Sequence, residues 1–142
     1  MGKVLVSELA RRAGVNVETV RYYERRGLLR PASRSASGYR RYGEEELQRL
    51  RFILRAKTLG FTLREIKELL ELKNTPEATC HDIRQRAQVK VRDIESRIQT
   101  LRAMHRALLG LIDQCDNGRD SDQCPILQAM EDTGASTKGA DP

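Results

Sequence analysis

The stretch from Cys80 to about Ile112 constrains this chain most, because its apolar residues fall on one seam. Ala87, Val91, Ile94, Ile98, Leu101, His105, Leu108 and Ile112 advance in alternating steps of four and three. That is the a/d spacing of a coiled coil, in which two helices bury a shared apolar stripe. The other faces carry Arg84, Arg86, Lys90, Arg92, Asp93, Glu95, Arg97, Arg102 and Arg106, which suit water. A helix this polar does not hold itself folded, so its seam needs a partner. At about 1.5 Å per residue it spans roughly 50 Å, more than a domain of this size needs internally. The expected partner is the same helix in a second copy, which makes the protein a homodimer.

Two cysteines bracket that helix, Cys80 at its start and Cys115 just past its end, and Cys124 follows in the next loop. Along a straight helix Cys80 and Cys115 lie roughly 50 Å apart, so one chain alone cannot join them. Antiparallel pairing, with the two-fold axis near Ile98, brings Cys80 of one copy toward Cys115 of the other. Three scattered thiols then become two symmetric sites at the ends of a dimer.

A length of 142 residues suits one small domain with appendages, or two very small ones. Trp is absent and 32% of residues are charged, which fits a helical protein with thin cores completed by dimerisation. No run approaches the length of a membrane span, and Met1–Ser7 is too short an apolar run for a signal peptide. A cytoplasmic location is expected, where three cysteines are metal ligands or free thiols rather than a disulfide framework. The charge is uneven. Residues 1–75 hold 17 Lys/Arg against 9 Asp/Glu, a net of +8, whereas residues 76–142 hold 9 against 11, a net of −2. A basic half joined to a slightly acidic one points to a nucleic-acid module carrying something else.

Within the basic half, a short helix from about Ser7 ends at Gly14. A second, Val17 to Arg26, starts from an Asn16 cap and stops at Gly27. Two short helices joined by a tight Gly-containing turn form a helix-turn-helix, whose second helix offers its early exposed residues to base edges. By position these are Val17, Glu18 and Arg21. Residues 28–42 read instead as a small hairpin wing: Pro31, three serines and Gly38 mark turns, and Tyr39-Arg40-Arg41-Tyr42 alternates aromatic and basic residues. Arg34, Tyr39, Arg40 and Arg41 would meet phosphates there, while Tyr42 is expected in the core beneath.

A helix from Glu44 to about Leu59 follows, with a stripe of Leu47, Leu50, Leu54 and Lys57-Thr58. Thr62-Leu63-Arg64-Glu65 is a capping box that opens a helix through Ile66, Leu69, Leu70 and Leu72. Asn74-Thr75-Pro76 marks the expected domain boundary, and Thr79 to Asp82 caps the long helix. The expected division is therefore a DNA-binding domain over 1–75, the dimerisation helix over 76–114, a cysteine-bearing loop and short helix over 115–133, which the resemblance drawn below makes metal-binding, and a disordered tail over 134–142. No constellation of nucleophile and base, and no Gly-rich phosphate loop, suggests an enzyme.

Taken together and in order, Val17-Glu18-Thr19-Val20-Arg21-Tyr22-Tyr23-Glu24, Gly27-Leu28-Leu29, Gly38-Tyr39-Arg40-Arg41-Tyr42 and Leu59-Gly60-Phe61-Thr62-Leu63 resemble the MerR family of bacterial transcription regulators along essentially the whole chain. The resemblance implies a mainly α fold: a winged helix-turn-helix, a long antiparallel coiled-coil dimerisation helix and a short metal-binding loop. It implies DNA contacts from Arg21 and Tyr22 on the recognition helix and from Arg34, Tyr39 and Arg40 in the wing. It also implies double-stranded promoter DNA and RNA polymerase as partners. Family members act by distorting a promoter spacer that is too long, which uses DNA shape rather than recruitment.

The same resemblance makes Cys80, Cys115 and Cys124 the ligands of an effector metal. The branch for monovalent copper, silver and gold has Ser where Cys80 stands, so Cys implies a divalent ion. Three thiolates carry −3, which a +2 ion reduces to −1, and soft thiolates favour Hg(II), Pb(II), Cd(II) or Zn(II). The trio followed by Pro125 looks most like the mercury sensors. Zinc prefers four ligands, and zinc-sensing relatives carry a second Cys where this chain has Asp116. A reversible Cys115–Cys124 disulfide, making a redox-sensing regulator, is the alternative.

Overall fold

Local capping chemistry sets where the helices begin and end. In the computed structural model, which describes residues 2–115 and 123–132, α1 (Val6–Ala13) closes at Gly14. That residue adopts φ +75°, a left-handed conformation open to glycine, and its N–H donates back into the last turn. Helix α2 (Val17–Arg25) starts where Asn16 Oδ1 accepts from the Thr19 N–H at 2.8 Å. Two two-residue strands, β1 (Ser33–Arg34) and β2 (Arg40–Arg41), pair antiparallel with Ser33 opposite Arg41 and Arg34 opposite Arg40. Helix α3 (Glu44–Thr58) follows, the Glu46 carboxylate accepting from the Gly43 N–H at 2.8 Å. Helix α4 (Leu63–Lys73) carries the full reciprocal box between Thr62 and Glu65. Helix α5 (Cys80–Asp113) runs 34 residues from a cap in which the Thr79 N–H donates to Asp82 at 2.8 Å, and α6 (Pro125–Glu131) is short.

The chain divides into two compact units, Met1–Val91 and Arg92–Pro142. The apolar core belongs to the first. Leu9 of α1, Val20 of α2, Leu28 and Leu29 of the following turn, Tyr42, Leu50 and Ile53 of α3, and Ile66 of α4 are all but inaccessible to water. Their burial gathers four helices and the wing base into one cluster, the main source of stability in a unit this small. Polar ties reinforce it: Arg49 Nε donates to the Leu28 carbonyl at 2.6 Å, and Val4 and Tyr42 exchange backbone hydrogen bonds of 2.7 and 2.8 Å. Tyr42 is fully buried, as its position under the wing predicts.

Two expectations need correction. On α3 the buried stripe is Leu47, Leu50, Ile53 and Ala56, whereas Leu54 is half-buried and Lys57 and Thr58 face water. The packed face advances by threes, along the residues that share the core with α1 and α4. On α5, Lys90 is not at the solvent: it is 5% exposed and ion-paired with Glu65 of α4. The seam of α5 does lie open in the single chain, with Val91, Ile94, Ile98, Leu101, Leu108 and Ile112 each at least 38% exposed. The polar loop over 116–122 and the tail over 134–142 lie outside the described residues.

Candidate nucleic-acid interface and thiol site

Helix α2 and the wing present the basic residues that the sequence singles out. Arg21, Arg34, Tyr39 and Arg40 line one groove of about 350 Å³, shared with Leu5, Val6 and Ser7 at the head of α1. On its other side, Arg21, Arg34 and Arg40 join Arg25, Arg30 and Glu24 around a second hollow of about 450 Å³. Five guanidinium groups thus surround the angle between recognition helix and wing, a concentration of positive charge suited to a phosphate backbone.

Individual side chains differ in how free they are. Arg21 is exposed and leans on Glu18 at 3.2 Å, an exposed pair that costs little to open. Tyr22 is 41% exposed, its ring 5.6 Å from that of Tyr23, and Tyr39 stands furthest out at 65%. Arg34 has a second task, since its Nη1 donates to the Gly38 carbonyl at 2.9 Å and closes the wing turn. Val17 is half-buried and packs against the core.

Sequence reasoning passed over Glu24. Its carboxylate is largely enclosed, accepts the Tyr42 hydroxyl at 2.8 Å and lies 3.8 Å from Arg40 Nε. Burial first, and then this hydrogen bond, push the Tyr42 phenol well above its ordinary pKa. Glu24 so joins the end of α2 to the base of the wing. Arg25 and Arg30 are likewise neighbours of the wing that their spacing in the sequence did not mark.

Cys80, Cys115 and Cys124 stand outside any disulfide. Cys80, the first residue of α5, is exposed; Cys115, two residues beyond its end, is exposed; Cys124, directly before α6, is partly covered. Cys80 belongs to the first unit, Cys115 and Cys124 to the second. Among the described residues, no three His, Cys, Asp or Glu side chains within one chain gather as a metal site. Cys80 also borders an apolar groove of about 730 Å³ lined by Phe52, Leu59, Phe61, Leu69 and Leu72. Among the described residues, no helix is long and apolar enough to cross a membrane.

A helix-turn-helix, a two-stranded basic wing and a long helix with an open apolar seam define a winged helix-turn-helix DNA-binding protein. Residues 5–73 match the MerR HTH family regulatory proteins and residues 47–111 the MerR DNA-binding family, and the chain belongs to the MerR family. It is 41% identical to the mercuric resistance operon regulatory protein of Bacillus cereus over 90% of this chain and 97% of that one. It is 38% identical to the transcriptional regulator ZntR of Escherichia coli strain K12, over 94% and 96% of the two chains. Among solved structures, a Ralstonia metallidurans transcription regulator in complex with lead(II) superposes with a TM-score of 0.79 at 36% identity, covering 89% of this chain and 99% of that one.

Proposed function

We propose that this protein is a metal-responsive transcription regulator that binds promoter DNA as a homodimer and senses a soft divalent ion, with Hg(II) first and Pb(II), Cd(II) or Zn(II) as alternatives. The observation that carries the reading is the placement of reduced cysteines at both ends of α5, with an apolar seam left open between them. The relatives named for mercury and zinc, and the lead(II) complex, favour a metal over a redox signal.

In this reading Val17, Glu18, Arg21 and Tyr22 address the major groove, with Arg21 placed to reach a base edge. Arg34, Tyr39 and Arg40 hold phosphates beside it and fix the register. The seam pairs with its twin, and Cys80 of one subunit meets Cys115 and Cys124 of the partner subunit. Three thiolates without a base or an open reacting position make a binding set, which suits a regulator rather than an enzyme. Activation then consists of a change in the shape of promoter DNA already bound, with RNA polymerase as the reader of that shape.

The test is a titration of the reduced dimer with Hg(II), Pb(II), Cd(II) and Zn(II), followed by thiolate-to-metal absorption and by transcription from a promoter bearing its operator. Response to Hg(II) at the lowest concentration, lost in Cys80→Ser while operator binding survives, is the expected result. A Cys80→Ser variant that responds normally, or activation by oxidants without metal, would overturn the proposal.

A further inference from the structure

We infer that Lys90 is a positioning residue that couples the head of α5 to the first turn of α4, and through it the thiol site to the DNA-binding unit; this rests on the metal-responsive reading above. Lys90 has only 6% of its side chain exposed, and its Nζ lies 2.8 Å from Glu65 Oε1. That same oxygen accepts the Thr62 N–H at 2.8 Å, so one atom both ends the ion pair and caps α4. The Lys90 ammonium also sits 5.8 Å from the centroid of the Phe61 ring, in the turn that leads into α4. One turn along, Arg86 of α5 pairs with Glu68 of α4, forming a second rung. Glu65 pairs with the later residue of α5 and Glu68 with the earlier, so the two helices meet antiparallel across this ladder.

A structural role alone is a poor account of a buried lysine. Withdrawing an ammonium from water is costly, and an apolar residue of similar volume stabilises such a position as well or better. What a buried charge pair adds is register, because it tolerates one alignment of its partners and penalises others. Cys80 lies ten residues before Lys90 on the same helix, roughly 15 Å along its axis. When α5 slides or turns at its head, Nζ draws Oε1 away from the Thr62 N–H and the first turn of α4 loses half of its capping box. Ile66 and Leu70 of that helix lie in the core shared with Leu9 and Val20, so the displacement reaches α1 and α2 through close-packed side chains. A ladder that favours one alignment of two helices over others is the kind of element an allosteric link can bias.

The experiment uses the full-length dimer and two variants, Lys90→Met and Lys90→Arg, with Hg(II) as the probe. Lys90→Met should speed hydrogen exchange in the first turn of α4 without any metal, and Lys90→Arg should restore it. In transcription, Lys90→Met should keep operator affinity and thiol–metal titration near wild type, yet lose about tenfold or more of the metal-induced increase. Normal induction of Lys90→Met, or a loss matched by an equal loss of operator affinity, overturns the coupling role; so does unchanged exchange in α4. Should the wild type give no induction with any metal while Lys90→Met still loosens α4, the metal reading fails and the α4–α5 link stands. If Lys90→Met does not fold, Glu65→Gln serves instead, since its amide oxygen can still cap Thr62 while the charge pair is removed.

Discussion

Lys90 and Glu65 meet at 2.8 Å but from opposite environments, the lysine side chain 6% exposed and the glutamate 34%. The pair is therefore asymmetric towards mutation. Losing Glu65 strands a buried ammonium and uncaps α4, whereas losing Lys90 leaves a carboxylate that water can still reach. Glu65→Ala should cost about 2–4 kcal/mol and Lys90→Met about 1 kcal/mol or less in urea unfolding. Equal costs would mean that the ammonium is better hydrated than its burial implies.

The same pair gives a pH signature. Lys90 first, and then the Thr62 N–H, hold the Glu65 carboxyl below its ordinary pKa. A carboxyl depressed on folding contributes stability above its unfolded pKa and loses it as pH falls through the folded value. The gap in unfolding free energy between wild type and Glu65→Gln should therefore be full at neutral pH and close only below the ordinary carboxylate range. A gap that persists unchanged in acid would assign it to packing instead.

Tyr42 should ionise only at strongly alkaline pH, because burial and its hydrogen bond to Glu24 raise its pKa. A phenol raised on folding contributes stability below its unfolded pKa, and that stability is lost as pH rises through the folded value. Absorbance titration of tyrosinate should show a late component, coincident with alkaline unfolding and missing in Tyr42→Phe. The substitution itself should cost about 1 kcal/mol through the lost hydrogen bond.

Ile98, 41% exposed in the single chain, lies at the proposed two-fold axis. Ile98→Asp places two carboxylates against each other in an apolar seam and should give monomers in sedimentation equilibrium. Because two half-sites bind with mutual advantage, operator affinity should fall about 100-fold or more. A variant that remains dimeric would place the symmetry axis elsewhere.

Arg21 and Arg40 share a groove but differ in task. Arg21→Ala should cost about 1–3 kcal/mol on the operator and relax its discrimination at one base position. Arg40→Ala should weaken binding to every sequence and lower the salt-dependence slope by about 0.9. Exchanged phenotypes would exchange the roles of helix and wing.

How much of this was readable beforehand depended on distance along the chain. The Asn16, Thr62 and Thr79 caps involve partners three residues away, and each marked a helix start in the sequence as it does in the structure. Tyr42 was readable because it ends the wing segment where the chain returns to the helical core, unlike Tyr39 nearer the turn, which stays in water. Lys90 was not, since its partner lies 25 positions earlier on another helix and the local pattern of α5 assigns it to water. Glu24 was hidden for the same reason, 18 residues from the phenol it holds. In α3, period alone did not settle whether Ile53 or Leu54 turned inward, because both lie near the same face and α1 decides. The cysteines could be placed along α5 by type and order alone, whereas the ligand set proposed for them spans two chains and lies outside the pattern of either one.

The paired hydrogen bonds between Val4 and Tyr42 pin the start of the chain to the root of the wing. Leu5, Val6 and Ser7 then border the groove that holds Arg21 and Arg40. A purification tag or fluorescent fusion placed ahead of Gly2 therefore emerges beside the surface proposed to meet DNA. Such an appendage, above all an acidic one, would compete with phosphates for those arginines and imitate a defective recognition helix.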